Sequence, residues 1–173
     1  TSDAVDYSDA YYNRGNLYYN DKNYDAALAD YTVTIEYYTG AKNVQAGVLD
    51  KAYHNRALCY YNKGLYQEAI DDYTRALAIN PGYAWAHYGK GYSHFMLNQN
   101  DSAIAEFESI LNSEIDPQAR FGLGLALVRK GDFTNGMKNL HQSCDAGCSE
   151  ACETLDKNMY ANPGVMLNFQ LPQ

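Results

Sequence analysis

Four stretches of this chain repeat one another, and repetition at a near-fixed period constrains the architecture before any single residue is read. The first copy runs Tyr11, Tyr12, Asn13, Arg14, Gly15, Asn16, Leu17, Tyr18, then Ala27 and Tyr31. The second runs Tyr53, His54, Asn55, Arg56, Ala57, Leu58, Cys59, Tyr60, then Ala69, Tyr73 and Pro81. The third carries His87, Lys90, Gly91, His94, Ala103 and Phe107, and the fourth Leu123, Gly124, Leu127, Gly136 and Leu140. With the small residues Gly15, Ala57, Gly91 and Gly124 in register, the copies are separated by 42, 34 and 33 residues. Small residues at these places let paired helices approach closely, and Tyr24, Tyr66 and Phe133 follow turn-forming segments such as Asn20–Asn23 and Asn62–Gly64. Each copy therefore reads as a helical hairpin, with helix pairs expected at 8–20 and 24–38, 50–63 and 66–79, 84–97 and 100–112, and 117–130 and 133–144. One hairpin cannot bury its apolar face. Stacked neighbours share a continuous core and leave a concave surface lined by their first helices.

The pattern of a large aromatic, a small residue four on, an aromatic three further, then Ala and an aromatic in the second helix resembles the tetratricopeptide repeat (TPR) family over residues 8 to 143. The resemblance implies an all-α fold, a right-handed α-solenoid of four hairpins at about 8–41, 50–83, 84–116 and 117–147. Copy two fits best, since Asn80-Pro81-Gly82 also supplies its stop; in copies three and four His94 and Leu127 replace the first-helix Tyr, and Gly136 replaces the second-helix Ala. The longer first separation means about eight extra residues near Thr39–Gly47, read either as a loop or as an extended end to the first hairpin. A last helix at about 148–160 is expected to cap the open end, as terminal repeats require. The apolar tail 161–173, with Val165, Leu167 and Phe169, is expected to pack against the domain or a neighbouring copy.

The 173 residues suit a single domain, and their 14% aromatic content, with 18 tyrosines, can furnish a packed core. A net charge of −8 and the lack of any Lys/Arg cluster argue against a nucleic-acid partner. No run of about 18 apolar residues marks a membrane span. A chain starting at Thr1 is compatible with a signal or anchor removed ahead of it.

Motifs for catalysis are missing: there is no Gly-rich phosphate loop, no G-x-S-x-G, no H-E-x-x-H and no C-x-x-C. The chain reads as non-enzymatic, with no cofactor. His87 and His94 share a helix face but occupy packing positions of the third copy, and His141 has no ligand partner at metal spacing, so no metal site is expected. Cys144, Cys148 and Cys152 lie four apart, unlike the paired short spacings of zinc sites. The stretch from Cys144 to Cys152 is similar to the hairpin turns of cysteine-rich Sel-type repeats, relatives of the TPR in which the outer cysteines pair. That likeness implies a Cys144–Cys152 disulfide and an oxidising location, periplasmic or surface-attached. The alternative is a cytoplasmic protein with three buried thiols.

Mapped onto the TPR arrangement, the concave groove draws Tyr12, Asn13, Asn16 and Tyr19 from the first copy, His54, Asn55, Tyr61 and Asn62 from the second, and Trp85, Tyr88, Tyr92 and Phe95 from the third. The fourth contributes Phe121 and Arg129, while Leu125 and Val128 read as padding between repeats. Rings beside amides suit a peptide, because Asn side chains offer both donors and acceptors to an extended backbone. The expected function is a protein–protein interaction scaffold. The rival is a carbohydrate-binding module, and self-association through residues 162–173 is a third reading. Chaperone-binding TPR domains clamp a C-terminal carboxylate with cations, but those positions here hold Tyr12, Trp85 and Gly89, so that clamp is not expected.

Overall fold

The computed structural model describes residues 8–40 and 46–156, which form helices joined by short turns, with no strand among them. In chain order these are α1 (Ser8–Asn20), α2 (Tyr24–Gly40), α3 (Ala46–Asn62), α4 (Tyr66–Ile79), α5 (Ala84–Met96), α6 (Asn100–Glu108), α7 (Asp116–Lys130), α8 (Phe133–Asp145) and α9 (Ser149–Asp156). Their order gives the expected all-α series of four hairpins followed by a last short helix. The tail 161–173, the end of the predicted capping helix and residues 41–45 of the predicted insertion lie outside the described residues.

Three boundaries differ from those expected by two residues or more. The extra residues between the first two copies go largely into helix, since α2 continues to Gly40 and α3 already begins at Ala46. In contrast, α6 stops at Glu108 rather than near residue 112. Ile110 and Ile115 turn inward and are buried, which pulls the intervening chain off the helix path. Asn112 takes a left-handed φ of 67°, its N–H donating to Asp116 Oδ2, and Pro117 then opens α7.

The chain divides into two compact units, residues 1–86 and 87–173. In the first, α1 and α2 pack through Ala27 and Tyr31, with Tyr12, Tyr18, Tyr19 and Tyr24 against them, and a second cluster joins Ile35, Tyr38, Leu49 and Ala52. In the second unit, Tyr88, Tyr92 and Phe107 stack edge to face with centroids 4.8–6.1 Å apart. The register of small residues has a direct physical meaning. A Cβ on Gly15 would lie 2.8 Å from the Tyr31 ring, one on Gly91 2.8 Å from the Phe107 ring, and one on Gly124 2.7 Å from Leu140. Each small residue thus admits the large side chain at the equivalent place in its partner helix.

A second repeated device is ionic. The residue before the small one is basic in three copies, and the residue before the large second-helix ring is acidic. Arg14 forks onto Asp30 with both bonds at 2.7 Å, and Arg56 onto Asp72 at 2.6 and 2.9 Å. Lys90 meets Glu106 at 2.8 Å, with His87 Nδ1 2.6 Å from the other oxygen. Arg14 lies between the rings of Tyr11 and Tyr18, and Arg56 between those of Tyr53 and Tyr60, at 5.2–6.0 Å. Copy four has Leu123 and Asn139 at these positions, so the staple has no counterpart there.

Candidate functional site

In the first unit, helices α1 and α3 bring Tyr12, Asn16 and Asn55 together, although they are far apart in sequence. Asn55 Nδ2 donates to Asn16 Oδ1 at 2.9 Å and to the Tyr12 hydroxyl at 3.1 Å, while the Tyr31 hydroxyl donates to Asn16 Oδ1 at 2.8 Å. One turn further along, Asn62 Nδ2 reaches the Tyr19 hydroxyl at 3.3 Å and the Leu58 carbonyl at 2.8 Å. Asn13 and Asn62 are exposed, and Tyr12, Asn16, Tyr19 and Asn55 are half-buried. The network uses part of each amide and leaves part over. Asn16 Nδ2 carries two N–H groups, of which the neighbouring Tyr12 hydroxyl can take one, and Asn55 Oδ1 accepts from no side chain of this network. These spare groups sit at the two ends of one amide–amide hydrogen bond. Partial burial pushes the Tyr12 and Tyr19 hydroxyls above the usual phenol range, so both rings stay neutral donors.

His54 and Tyr61, also expected at the groove, are buried in this unit. The imidazole of His54 packs 4.9 Å from the ring of Tyr83 and 5.5 Å from that of Tyr73, and burial pushes its pKa down to about 4. It is a neutral packing ring. Its Nδ1 has no hydrogen-bond partner among the described residues. Tyr61 stacks edge-on against Tyr66, and Trp85, near the start of α5, is exposed.

In the second unit Tyr88, Tyr92 and Phe95 are buried, at 4%, 1% and 1% exposure. Covered to this degree, they add ring packing rather than open contact area. A separate cavity of about 460 Å³ lies between the end of α6, α7 and α8, floored by Leu111, Leu123 and Leu127 and rimmed by Arg120, Lys138 and Asn139. None of the expected site residues lines it.

Cys144 and Cys152 form a disulfide that ties the end of α8 to α9, with Cα atoms 4.8 Å apart. Cys59 and Cys148 are buried thiols, both pushed up by burial, Cys59 to about 12, so neither is a reactive thiolate. Among the described residues no group of three or more His, Cys, Asp or Glu side chains converges that could hold a metal ion, and no helix is long and apolar enough to cross a membrane.

No curated protein sequence matches this chain. Solved structures do resemble it. MamA residues 41 to the end from Desulfovibrio magneticus RS-1 superposes with a TM-score of 0.72 at 16% identity, covering 93% of this chain and 91% of that one. YrrB, described as a TPR protein with an unusual peptide-binding site, gives 0.65 at 23% identity over 91% and 87%. PilW, a type IV pilus biogenesis factor, gives 0.69 at 20% identity over 83% of this chain and 63% of that one. At these identities the likeness concerns the fold. Sequence models of the tetratricopeptide repeat match residues 8–32, 50–83 and 88–137, which together make up more than half of the chain. With the hairpins in place and their small-to-large register explained, the chain belongs to the tetratricopeptide repeat family.

Proposed function

We propose that this protein is a non-enzymatic scaffold that binds an extended peptide segment of a partner protein on the α1/α3 face of its first unit. The observation that carries the reading is the pair of spare amide groups on Asn16 and Asn55. Their mutual hydrogen bond and the Tyr12 and Tyr31 hydroxyls hold both side chains in place, so little rotamer freedom remains to be lost on binding. One donor and one acceptor are then offered side by side, which suits a peptide backbone. Tyr12 and Tyr19 supply ring surface, and Asn13 and Asn62 rim it. The peptide-binding site named for YrrB, a chain of similar fold, supports the same reading.

The Cys144–Cys152 disulfide supports placing the protein in an oxidising compartment, periplasmic or surface-attached, and its pairing of the outer two cysteines supports reading the turn as Sel-like. The functional test begins with peptides selected from a random displayed library against the wild-type protein. Affinity for them falls at least about tenfold in the Asn16→Ala, Asn55→Ala double variant, measured by fluorescence anisotropy. Unchanged affinity overturns the site, and binding on a glycan array with no peptide selected favours a carbohydrate module instead.

A further inference from the structure

Among the described residues, four of the five arginines are matched to a carboxylate. Arg14 is paired with Asp30, Arg56 and Arg75 with Asp72, and Arg120 with Asp116, at 2.5–3.2 Å. Arg129, in the last turn of α7, is not. Its guanidinium carbon lies 3.3 Å from the centre of the Phe95 ring, and Nη1 donates to the Phe95 carbonyl at 2.6 Å and to Asn98 Oδ1 at 3.4 Å. The carbonyl is one of the last in α5, so part of the role is to cap that helix end. Capping uses only Nη1. Among the described residues Nε and Nη2 have no acceptor, and neither is fully buried, so these N–H groups are not sealed from solvent.

Three physical features separate this group from an ordinary surface cation. It is fixed on two sides, by the ring beneath and the carbonyl at its edge, so its planar fork is already oriented. It is partly desolvated, and burial without a compensating anion pushes its pKa down. It also stands in a chain with net charge −8, where the other described guanidiniums are neutralised internally. A held, half-dry fork with three unused donors is a receptor for a two-oxygen anion, to which it can present Nε–H and Nη2–H in parallel.

We infer that Arg129, backed by Phe95, is a binding site for a carboxylate carried by a bound peptide. The α7 position is separate from Tyr12, Trp85 and Gly89, the first- and third-copy positions where a chaperone-type clamp would carry its cations. The inference rests on the peptide-binding reading for the class of its biological ligand, and adds that a peptide taken by this unit carries an acidic side chain or a free C-terminus.

The test uses the full chain and small probes, so that it does not depend on the α1/α3 face. The five arginine Nε–Hε resonances are followed by NMR while N-acetyl-aspartamide, bearing only a side-chain carboxylate, is added. Parallel titrations use N-acetylglycine, bearing only a main-chain carboxylate, N-acetyl-asparaginamide as the uncharged control, and inorganic phosphate. The expected result is a saturable shift of Arg129 in the millimolar range with a carboxylate probe, no shift with the asparagine control, and little movement of Arg14, Arg56, Arg75 and Arg120. Tighter binding of one carboxylate probe identifies the source as an acidic side chain or a chain terminus. Arg129→Lys, which keeps the charge and loses the fork, weakens binding at least about tenfold. No saturable shift of Arg129, equal movement of all five arginines, or a response to phosphate alone overturns the inference. Because the wild-type titration decides the matter, a variant that fails to fold does not obscure it, and a negative result here leaves the α1/α3 face to be judged by its own variants.

Discussion

At the scale of single residues, charge is managed by burial, and two sites make this measurable. Asp72 is 2% exposed and is held by the bidentate fork of Arg56, with Arg75 as a further neighbour. Removing one partner of such a pair strands the other in a poor solvent. Asp72→Asn is expected to lower stability by about 3–5 kcal/mol in urea unfolding. The equivalent Asp30→Asn should cost less, because the side chain of Arg14 is 54% exposed and can turn to water. Equal losses at the two sites would show that burial does not set the energetics. His54 works in the opposite sense, by staying uncharged. Its folded pKa of about 4 lies below the ordinary 6.5, so between those values the unfolded chain binds the extra proton. Stability is therefore complete above about pH 6.5 and falls as the pH drops toward 4, by about 3 kcal/mol from this residue alone. His54→Leu should remove that part of the acid loss, read as a smaller difference between unfolding midpoints at pH 7 and pH 4.5.

At the scale of elements, α7 and α8 cross backbone against backbone. A Cβ on Gly136 would lie 2.5 Å from Val128 Cγ2 and 3.0 Å from both the Gly124 carbonyl and the Val128 nitrogen, so backbone as well as side chain would have to move. Alanine gains about 1 kcal/mol of helix propensity over glycine, but two helices forced apart lose more. Gly136→Ala is expected to destabilise by a net of about 1–3 kcal/mol, seen as a lowered thermal midpoint. A neutral or stabilising result would mean that the two helices slide apart at no cost. This crossing also separates what is legible in a sequence from what is not. The hairpins and the close approach at Gly15, Gly91 and Gly124 were legible, because a small residue repeated at constant distance from a large one marks two helices that touch there. The departure at Gly136 was visible, but its cause was not, since Val128 is eight residues away across a turn. The ion staple from Arg14 to Asp30, Arg56 to Asp72 and Lys90 to Glu106 is written at constant spacing, and a comparison of the charged positions of the copies would have found it. The site was less legible. Helical spacing placed Tyr12, Asn16 and Asn55 on first helices, but it does not reveal that the amides bond to each other. Nor does it show that His54 turns onto Tyr73 and Tyr83, or that Tyr88, Tyr92 and Phe95 are covered. A helix face is a direction, whereas burial depends on what lies opposite.

At the scale of the whole molecule, the −8 net charge acts on any partner before contact. The field of these uncompensated charges reaches about 30 Å at 0.01 M salt and about 10 Å at 0.1 M, so it governs encounter and not the short-range fit. The Tyr12, Asn16, Tyr19, Asn55 and Asn62 network is made of neutral amides and phenols, and its own hydrogen bonds should respond little to salt. Steering and recognition are therefore separable by ionic strength. For peptides of equal length and the same contact residues, a cationic version should associate about tenfold more slowly in about 0.3 M salt than in about 0.01 M, while a neutral version should change by less than about twofold. An acidic version should show the reverse trend in association rate, because screening relieves its repulsion. Stopped-flow measurement of both rate constants against ionic strength distinguishes these effects. A neutral peptide whose dissociation accelerates steeply with salt would show that ionic contacts, and not the Tyr12, Asn16 and Asn55 surface, hold the partner.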